Sequence, residues 1–127
     1  MKTVEFLQYT LRSGTGNRFY QIMLNISVPL HQAAGIDVVT HGPSDHDPDS
    51  YLLVRAFESP ELRERSLHAF YQSDAWRKGP REEIINSIEV NVMSVLSMDP
   101  AAIDALRHTL YCCEGDAARG GTISSVK

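Results

Sequence analysis

A single arginine stands inside an otherwise apolar strand, and it is the residue that most invites a chemical interpretation. Arg55 alternates with Leu53 and Phe57 in the segment 51–57, so its side chain shares a face with apolar neighbours. A buried guanidinium needs a partner, because removing a lone charge from water is prohibitively unfavourable. Arg55 therefore predicts either an anion clamp for a bound carboxylate or enolate, or a structural ion pair with Glu5 or with a carboxylate of a dimer partner.

Two other side chains have chemistry that suits a role beside an anion. His41 ends the predicted second strand, and an imidazole that titrates near neutral pH could act as a general base at a cavity mouth. The alternative is an exposed histidine before the turn at Gly42. Tyr9 lies mid-strand, where its hydroxyl could donate to an oxyanion or meet a backbone group in the core. We therefore predict Arg55, His41 and Tyr9 as catalytic residues.

Three aromatic residues are candidates for contacts to a bound molecule. Tyr51 begins the third predicted strand and has the same two interpretations as Tyr9, and Phe57 shares the face of Arg55. Trp76 follows the second predicted helix and could cap a cavity mouth, although a lone tryptophan there is more often a packing anchor. We predict Tyr51, Phe57 and Trp76 as ligand-binding residues.

No metal and no cofactor is predicted. The run 41–47 contains histidine and aspartate, which suit zinc, manganese or iron, but its spacing matches no established motif, and polar runs of Asp, Pro and Ser are usually turns. The glycine turn at 13–16 lacks the spacing of a phosphate-binding loop. The only cysteines are the neighbours Cys112 and Cys113, which suit neither a disulfide framework nor a zinc site, so we expect a reducing, cytoplasmic setting.

Composition narrows the choice of partner. The chain has 127 residues, the size of one domain, and a formal net charge of −4 with scattered Lys and Arg, which argues against nucleic acid. No stretch approaches the roughly 18 apolar residues that a membrane span needs. Polar residues interrupt the apolar ones from the start of the chain, which is not the pattern of a signal peptide. We expect neither a nucleic-acid partner nor a membrane partner. The candidate ligand is a small organic or anionic molecule.

The pattern of apolar residues predicts the order β-α-β-β-α-β with one more helix at the C-terminus. The first helix should bury a stripe of apolar side chains, and His31 and His68, on helices, should face solvent. The stretch 42–49 is expected to be a polar loop. The predicted elements are strands 4–11, 36–41, 51–57 and 89–98, a helix from Asn17 that stops at Gly35, a helix from Ser59-Pro60 to Ser73, a helical turn at 81–87 and a last helix from Asp99-Pro100. The first helix's stripe is Phe19, Ile22, Met23, Ile26 and Leu30.

This order is the ferredoxin-like α+β pattern, a four-stranded antiparallel sheet with helices on one face. The other face would still be apolar, and a sheet that is apolar on both sides needs cover on both sides. Two sheets facing each other in a homodimer would supply that cover and enclose a cavity, giving a dimeric α/β barrel. In a monomer, the C-terminal helix would have to cover the sheet. We assign residues 1–98 to the barrel domain and 99–127 to a C-terminal helix and flexible tail.

Several segments resemble the NIPSNAP family, within the wider group of dimeric α/β barrels. The run from Glu5 to Leu11, Glu-Phe-Leu-Gln-Tyr-Thr-Leu, is similar to that family's first strand, Glu-Leu-Arg-x-Tyr-x-Leu. Residues 56–59 and 62–65 resemble its third strand and second helix, and Asp74-Ala75-Trp76 resembles its Asp-x-x-Trp element. Where the family has a first-strand arginine, this chain has Leu7.

The resemblance implies a cavity without fixing a reaction. Related barrels include cofactor-independent monooxygenases that oxidise polycyclic aromatic compounds, and small isomerases and decarboxylases. One hypothesis is therefore a cofactor-independent small-molecule enzyme of the monooxygenase or isomerase type, with its active site in the barrel cavity between the two sheets. In this site Arg55 steadies a negative oxygen, His41 moves a proton and Tyr9 assists. The other is a non-catalytic ligand-binding or protein-interaction module with a filled interior and Arg55 paired within the protein. A pocket smaller than roughly 300 Å³ would favour the second hypothesis.

Overall fold

The predicted order of elements is confirmed. The computed structural model describes residues 1–114, with side chains up to residue 107. The strands are β1 (Lys2–Leu11), β2 (Asp37–Ser44), β3 (Asp47–Phe57) and β4 (Ile88–Met98). The helices are α1 (Gly16–Ile22), a π-helical segment (Met23–Ser27), α2 (Val28–Ala33), α3 (Pro60–Gln72), α4 (Asp74–Arg77), α5 (Arg81–Ser87) and α6 (Pro100–Glu114).

The four strands form one antiparallel sheet in the order β2-β3-β1-β4, which confirms the ferredoxin-like α+β fold. The register between β1 and β3 sets Glu5 directly opposite Arg55 and Leu7 opposite Leu53. Residues at alternate positions share a face, so these four side chains all point to the side that the helices cover. The sheet register therefore makes a cross-strand charge pair beneath the helices.

The predicted polar loop between the second and third strands is wrong for most of its length. Both strands continue into it and pair with each other, with Gly42 opposite Leu52 and Pro43 opposite Tyr51. Proline has no N–H to donate, but β2 is an edge strand, where that loss is tolerated. Only residues 45–46 form the turn, so the hairpin is tighter than its Pro and Asp content suggested.

The prediction of which residues the first helix buries is also partly wrong, because the helix changes its winding. A π-helical segment at 23–27 takes more residues per turn than an α-helix and rotates everything that follows it. Ile26, predicted to be inside, is 43% exposed, whereas Ser27 and His31 are buried. Pro29 lies just beyond this segment, where its missing N–H interrupts regular α-helical bonding. The expected exposure of His31 is therefore wrong, while His68 is exposed as predicted.

Apolar residues on the second face of the sheet are only partly covered. Ile103 of α6 packs in a small cluster on that face, beside β1, β2 and β3. Arg107 of the same helix binds Asp37 at the start of β2 through two hydrogen bonds of 2.7 and 2.6 Å. The C-terminal helix thus covers the β2 half of the face, and strand β4 stays exposed along nearly its whole length.

Three predictions concern residues at the C-terminal end. The division at residue 98 stays a prediction, although α6 packs against the sheet. The expected tail at 115–127 and the side chains of Cys112 and Cys113 lie outside the described residues, so the cytoplasmic setting also stays a prediction. Among the described helices, none has the length and apolar character to cross a membrane.

Candidate functional site

A cavity of about 820 Å³ opens between the helical side of the sheet and the segment α3–α5. Arg55 and Tyr9 line it, as does Trp76. The sequence led us to expect the Arg55 cavity between two sheets of a dimer. That expectation is wrong, because Arg55 points to the face that the chain's own helices cover. The pocket is well above the size at which a filled interior would have been favoured.

The floor of the cavity holds a buried ion pair between two neighbouring strands. Arg55 is 2% exposed and Glu5 is 1% exposed. The Nε of Arg55 donates to Glu5 Oε1 at 2.7 Å, and its Nη2 approaches the same oxygen closely. The pairing with Glu5, one of the partners that the sequence suggested, is therefore present. Burial opposes the charge on Arg55, but Tyr71 and Glu5 outweigh burial, so the pKa of Arg55 is raised.

A second arginine completes the coordination of the same carboxylate. Arg63 of α3 donates to Glu5 Oε2 from Nε at 2.9 Å and from Nη2 at 2.6 Å. A carboxylate offers about four lone-pair positions, and the two guanidiniums donate three hydrogen bonds to this one, with at least one on each oxygen. Glu5 is thus a structural anion that holds two cations, and both of its oxygens are engaged by arginines.

His31 supports Arg55 from the helical layer. Its Nδ1 lies 2.7 Å from the Ser27 carbonyl oxygen, which can only accept, so Nδ1 carries the proton. Its Nε2 then accepts from Arg55 Nη1 at 3.0 Å. Burial, with the nearby Arg55 charge, lowers the pKa of His31 to about 4. The imidazole is therefore neutral at pH 7, with one defined tautomer that fixes the orientation of Arg55.

Two tyrosine hydroxyls face the cavity with hydrogen-bonding capacity to spare. Tyr71 accepts a 2.7 Å hydrogen bond from Arg55 Nη1, which leaves its own proton free to donate. Tyr9 lines the same cavity, and its hydroxyl has no hydrogen-bond partner among the described residues. Burial raises the pKa of Tyr9, with Tyr71 contributing in the same direction, so it remains a neutral donor. Two O–H donors beside a guanidinium suit an oxygen that carries negative charge.

The remaining lining residues combine apolar side chains with two exposed arginines and with the polar Gln72 and Asn91. Phe70 and Tyr71 both lie against the Trp76 ring, at centroid distances of 5.5 and 5.2 Å, so Trp76 packs as well as lining the cavity. Arg77 and Arg81 are exposed lining residues, and we call the end of the cavity beside them its mouth. The apolar walls include Leu7, Leu67, Ile84, Ile85, Ile88 and Met93.

The structure separates the predicted site residues into two groups. Arg55, Tyr9 and Trp76 line the cavity, whereas His41, Tyr51 and Phe57 do not line it. His41 Nδ1 lies 2.6 Å from the Tyr51 hydroxyl at the β2 side of the sheet. Tyr51 is a core side chain whose ring packs edge-on against a phenylalanine of α1. Burial raises the pKa of Tyr51. Phe57, predicted to contact a ligand beside Arg55, instead lines a different, smaller surface pocket.

Sequence reasoning missed three members of this network: His31, Arg63 and Tyr71. Arg63 had a usable signal, because it lies four residues before Leu67 and eight before Tyr71, on the helix face that packs inward. His31 had none, because the π-helical segment that turns it inward is not visible in the spacing. Among the described residues, no group of three or more potential metal ligands comes together.

Solved structures share this fold. A NIPSNAP-like domain protein from Burkholderia xenovorans has a TM-score of 0.70 and 17% sequence identity, covering 78% of this chain and 86% of that one. A NIPSNAP family protein from Agrobacterium tumefaciens has a TM-score of 0.71 and 13% identity, covering 79% and 95%. A proposed antibiotic biosynthesis monooxygenase from Nitrosomonas europaea has a TM-score of 0.59 and 11% identity, covering 76% and 97%.

No protein-family model and no curated protein matches the sequence. At such low identities, a structural likeness establishes the fold and leaves the reaction open. The sequence resemblance carried by the first strand, the third strand and the second helix is nevertheless confirmed in three dimensions. This chain has the ferredoxin-like fold of the NIPSNAP-family structures.

Proposed function

We propose that the cavity beside Arg55 is the active site of a cofactor-independent enzyme that binds a small phenol or enol as its anion. The supporting observation is the set of donors on the cavity floor. Tyr9 and Tyr71 each have an O–H to offer, and Arg55 is held behind them by Glu5 and His31. Preorganised donors of this kind stabilise a developing oxyanion better than water does.

The residues at the cavity also restrict the substrate. Among the described residues, Glu5 is the only carboxylate that lines it, and both of its oxygens are engaged by arginines. His41, our predicted base, lies outside the lining. A suitable substrate must therefore ionise readily, and donors that favour the charged form would lower its pKa. This favours phenols and stabilised enols over weakly acidic carbon acids.

Isomerisation and monooxygenation both fit an anion held in this way. An isomerisation needs only a proton shift within the substrate. In a monooxygenation the co-substrate is O2, the anionic substrate supplies the electrons, and the two oxygen atoms end in the product and in water. The proposed antibiotic biosynthesis monooxygenase that shares the fold supports the second possibility.

Together with this active site, we propose that the protein forms a homodimer. Strand β4 lies at the edge of the sheet and exposes Val90, Val92, Met93, Val95 and Leu96, which belong to both of its faces. An apolar edge strand left open invites pairing with another chain. A second copy would cover the half of the sheet that α6 leaves bare.

The alternative is a non-catalytic ligand-binding or interaction module. One observation favours it: Arg55 is paired within the protein, as that hypothesis requires. The pairing also makes the variant Arg55→Leu a poor test, because it strips Glu5 of a partner and disturbs the fold as well as the site. The tyrosines offer a cleaner test, since losing one hydroxyl leaves the charge balance unchanged.

The test uses 4-nitrophenol, whose phenolate absorbs visible light. We expect bound 4-nitrophenol to show a lower pKa than free 4-nitrophenol, and Tyr9→Phe and Tyr71→Phe each to reverse part of that shift. Tyr20→Phe is the matched control, because Tyr20 does not line the cavity. An unshifted pKa on saturable binding would contradict the oxyanion role and favour the binding module.

A further inference from the structure

The cavity carries more positive charge than its buried network balances. Arg55, Arg63, Arg77 and Arg81 line it, and within the described part of the chain Glu5 is the only acidic residue that does so. The whole chain, by contrast, has a formal net charge of −4. A basic cleft on an acidic protein attracts anions, because the low-dielectric walls focus the field of the lining charges.

The two arginines at the mouth are not held by acidic neighbours. Arg77 ends α4 and Arg81 begins α5, and within the described residues neither forms an ion pair. Two nearby carboxylates are committed elsewhere: Asp74 lies 3.7 Å from Lys78, and Glu83 binds Arg18 at 2.7 Å. Both guanidiniums are exposed, and the free Nη groups of each can meet a planar anion in two parallel hydrogen bonds.

We propose that the ligand carries a second anionic group, a carboxylate or similar, which Arg77 and Arg81 hold at the mouth. This rests on the proposed function, which accounts for the oxygen at the floor. The apolar walls between floor and mouth, including Leu67, Trp76 and Ile84, would then cover the body of the molecule. The substrate class is an apolar, ring-containing organic acid with an ionisable hydroxyl at the end away from its acid group.

The test compares two fluorescent probes that differ only in an anionic group. The probe 8-anilinonaphthalene-1-sulfonate has an apolar body with one sulfonate, and N-phenyl-1-naphthylamine is the same body without it. We expect the sulfonate to bind the wild-type protein more tightly. The double variant Arg77→Gln/Arg81→Gln should weaken sulfonate binding about fivefold and leave the neutral probe unchanged. The difference should shrink in high salt, which screens exposed charges.

Arg65→Gln is the matched control, because Arg65 is an exposed arginine of α3 that does not line this cavity. If both probes bind equally and the double variant changes neither, the cavity stands but anion recognition at its mouth is overturned. If neither probe binds, there is no accessible cavity, and the proposed function falls together with this inference. Loss of sulfonate binding in the double variant alone supports it.

Discussion

The centre of the sheet buries charged side chains, whereas its β4 edge exposes apolar ones. Glu5 and Arg55 are almost fully buried between the strands and the helices. Val92 and Leu96, two strands away from Arg55, are 59% and 51% exposed. Scattered exposed apolar residues are common, but buried charges and a continuous apolar strip are both unusual.

The buried charges at the centre and the exposed apolar residues at the edge have different physical consequences. A buried carboxylate coordinated by two guanidiniums is rigid, because losing any partner leaves an uncompensated charge. It therefore suits a cavity floor that must hold hydroxyls in place. An exposed apolar strand is unfavourable in water and gains free energy when another surface covers it. Under the proposed function, the centre of the sheet handles the ligand and the β4 edge carries association.

The largest effect should come from neutralising the buried anion. We expect Glu5→Gln to lower the free energy of unfolding by about 3–5 kcal/mol, because Arg55 and Arg63 would lose their shared counterion. Urea denaturation measures it. The control is Glu58→Gln, whose partner Lys2 is on the surface, and which should change stability little. Equal effects in the two variants would show that burial does not distinguish these pairs.

The pH dependence of stability should report on His31. Its pKa falls from 6.5 to about 4 on folding, so between those pH values the unfolded chain binds a proton that the native protein does not. Stability should therefore rise with pH from 4 to 6.5 and be flat above, so far as His31 is concerned. One pKa unit is worth about 1.4 kcal/mol, which gives about 3–4 kcal/mol across the window.

Carboxylates also titrate in that range, so the measurement is a difference between variants. Denaturation curves for His31→Gln should lack this part of the slope, while His68→Gln, at an exposed position, should retain all of it. The charged groups near His31 are Arg55 and Glu5, with His41 further out. A wild-type slope that persists in His31→Gln would rule out a neutral, buried His31 as its source.

Charges placed on the exposed edge should act on association rather than on folding. We expect Val92→Glu/Leu96→Glu to weaken a homodimer more than about tenfold, since burial of one such side chain is worth at least 1.5 kcal/mol. Sedimentation velocity over a concentration series measures this. Ile26→Glu, at an exposed position in the helical layer, should leave the dimer intact. A wild-type protein that is monomeric at all concentrations would disprove the edge interface.

The smallest effect should come from an ion pair with the same chemistry as Glu5–Arg55 but in solvent. Arg107 binds Asp37 through two short hydrogen bonds, which raise the pKa of Arg107, and both side chains are about one-third exposed. Solvent screening limits such pairs to about 0.5 kcal/mol. Chemical denaturation of Arg107→Gln should show a loss of this size. A loss as large as that of Glu5→Gln would overturn the contrast.

Alternation and cross-strand pairing made much of this fold predictable. The alternation in β1 and β3 placed Tyr9 and Arg55 on one face, and a partner for Arg55 could be sought on the neighbouring strand. Glu5 was among the candidates because antiparallel strands set residues in register. The uncovered apolar face followed from the same two-residue period, and the antiparallel sheet from the order of the predicted elements.

Features that depend on a local change of geometry could not be predicted. The π-helical segment rotates His31 inward, and nothing in the residue types reveals where a helix takes an extra residue. The side of the sheet on which the cavity lies could not be predicted either. Both faces of the strands are apolar, and periodicity alone does not say which face receives the helices. His41 shares the helical face with its cross-strand partner Leu53, but it lies on the outer strand β2 and is not among the residues that line the cavity.

The central claim is that the cavity floor holds a small organic anion, and a crystal structure with 4-nitrophenolate tests it most directly. We predict density in the cavity with the phenolate oxygen within about 3.2 Å of the Tyr9 and Tyr71 hydroxyls. Density elsewhere, for example in the groove between α2 and α3 lined by Leu30 and Phe70, with the Arg55 cavity empty, would contradict it.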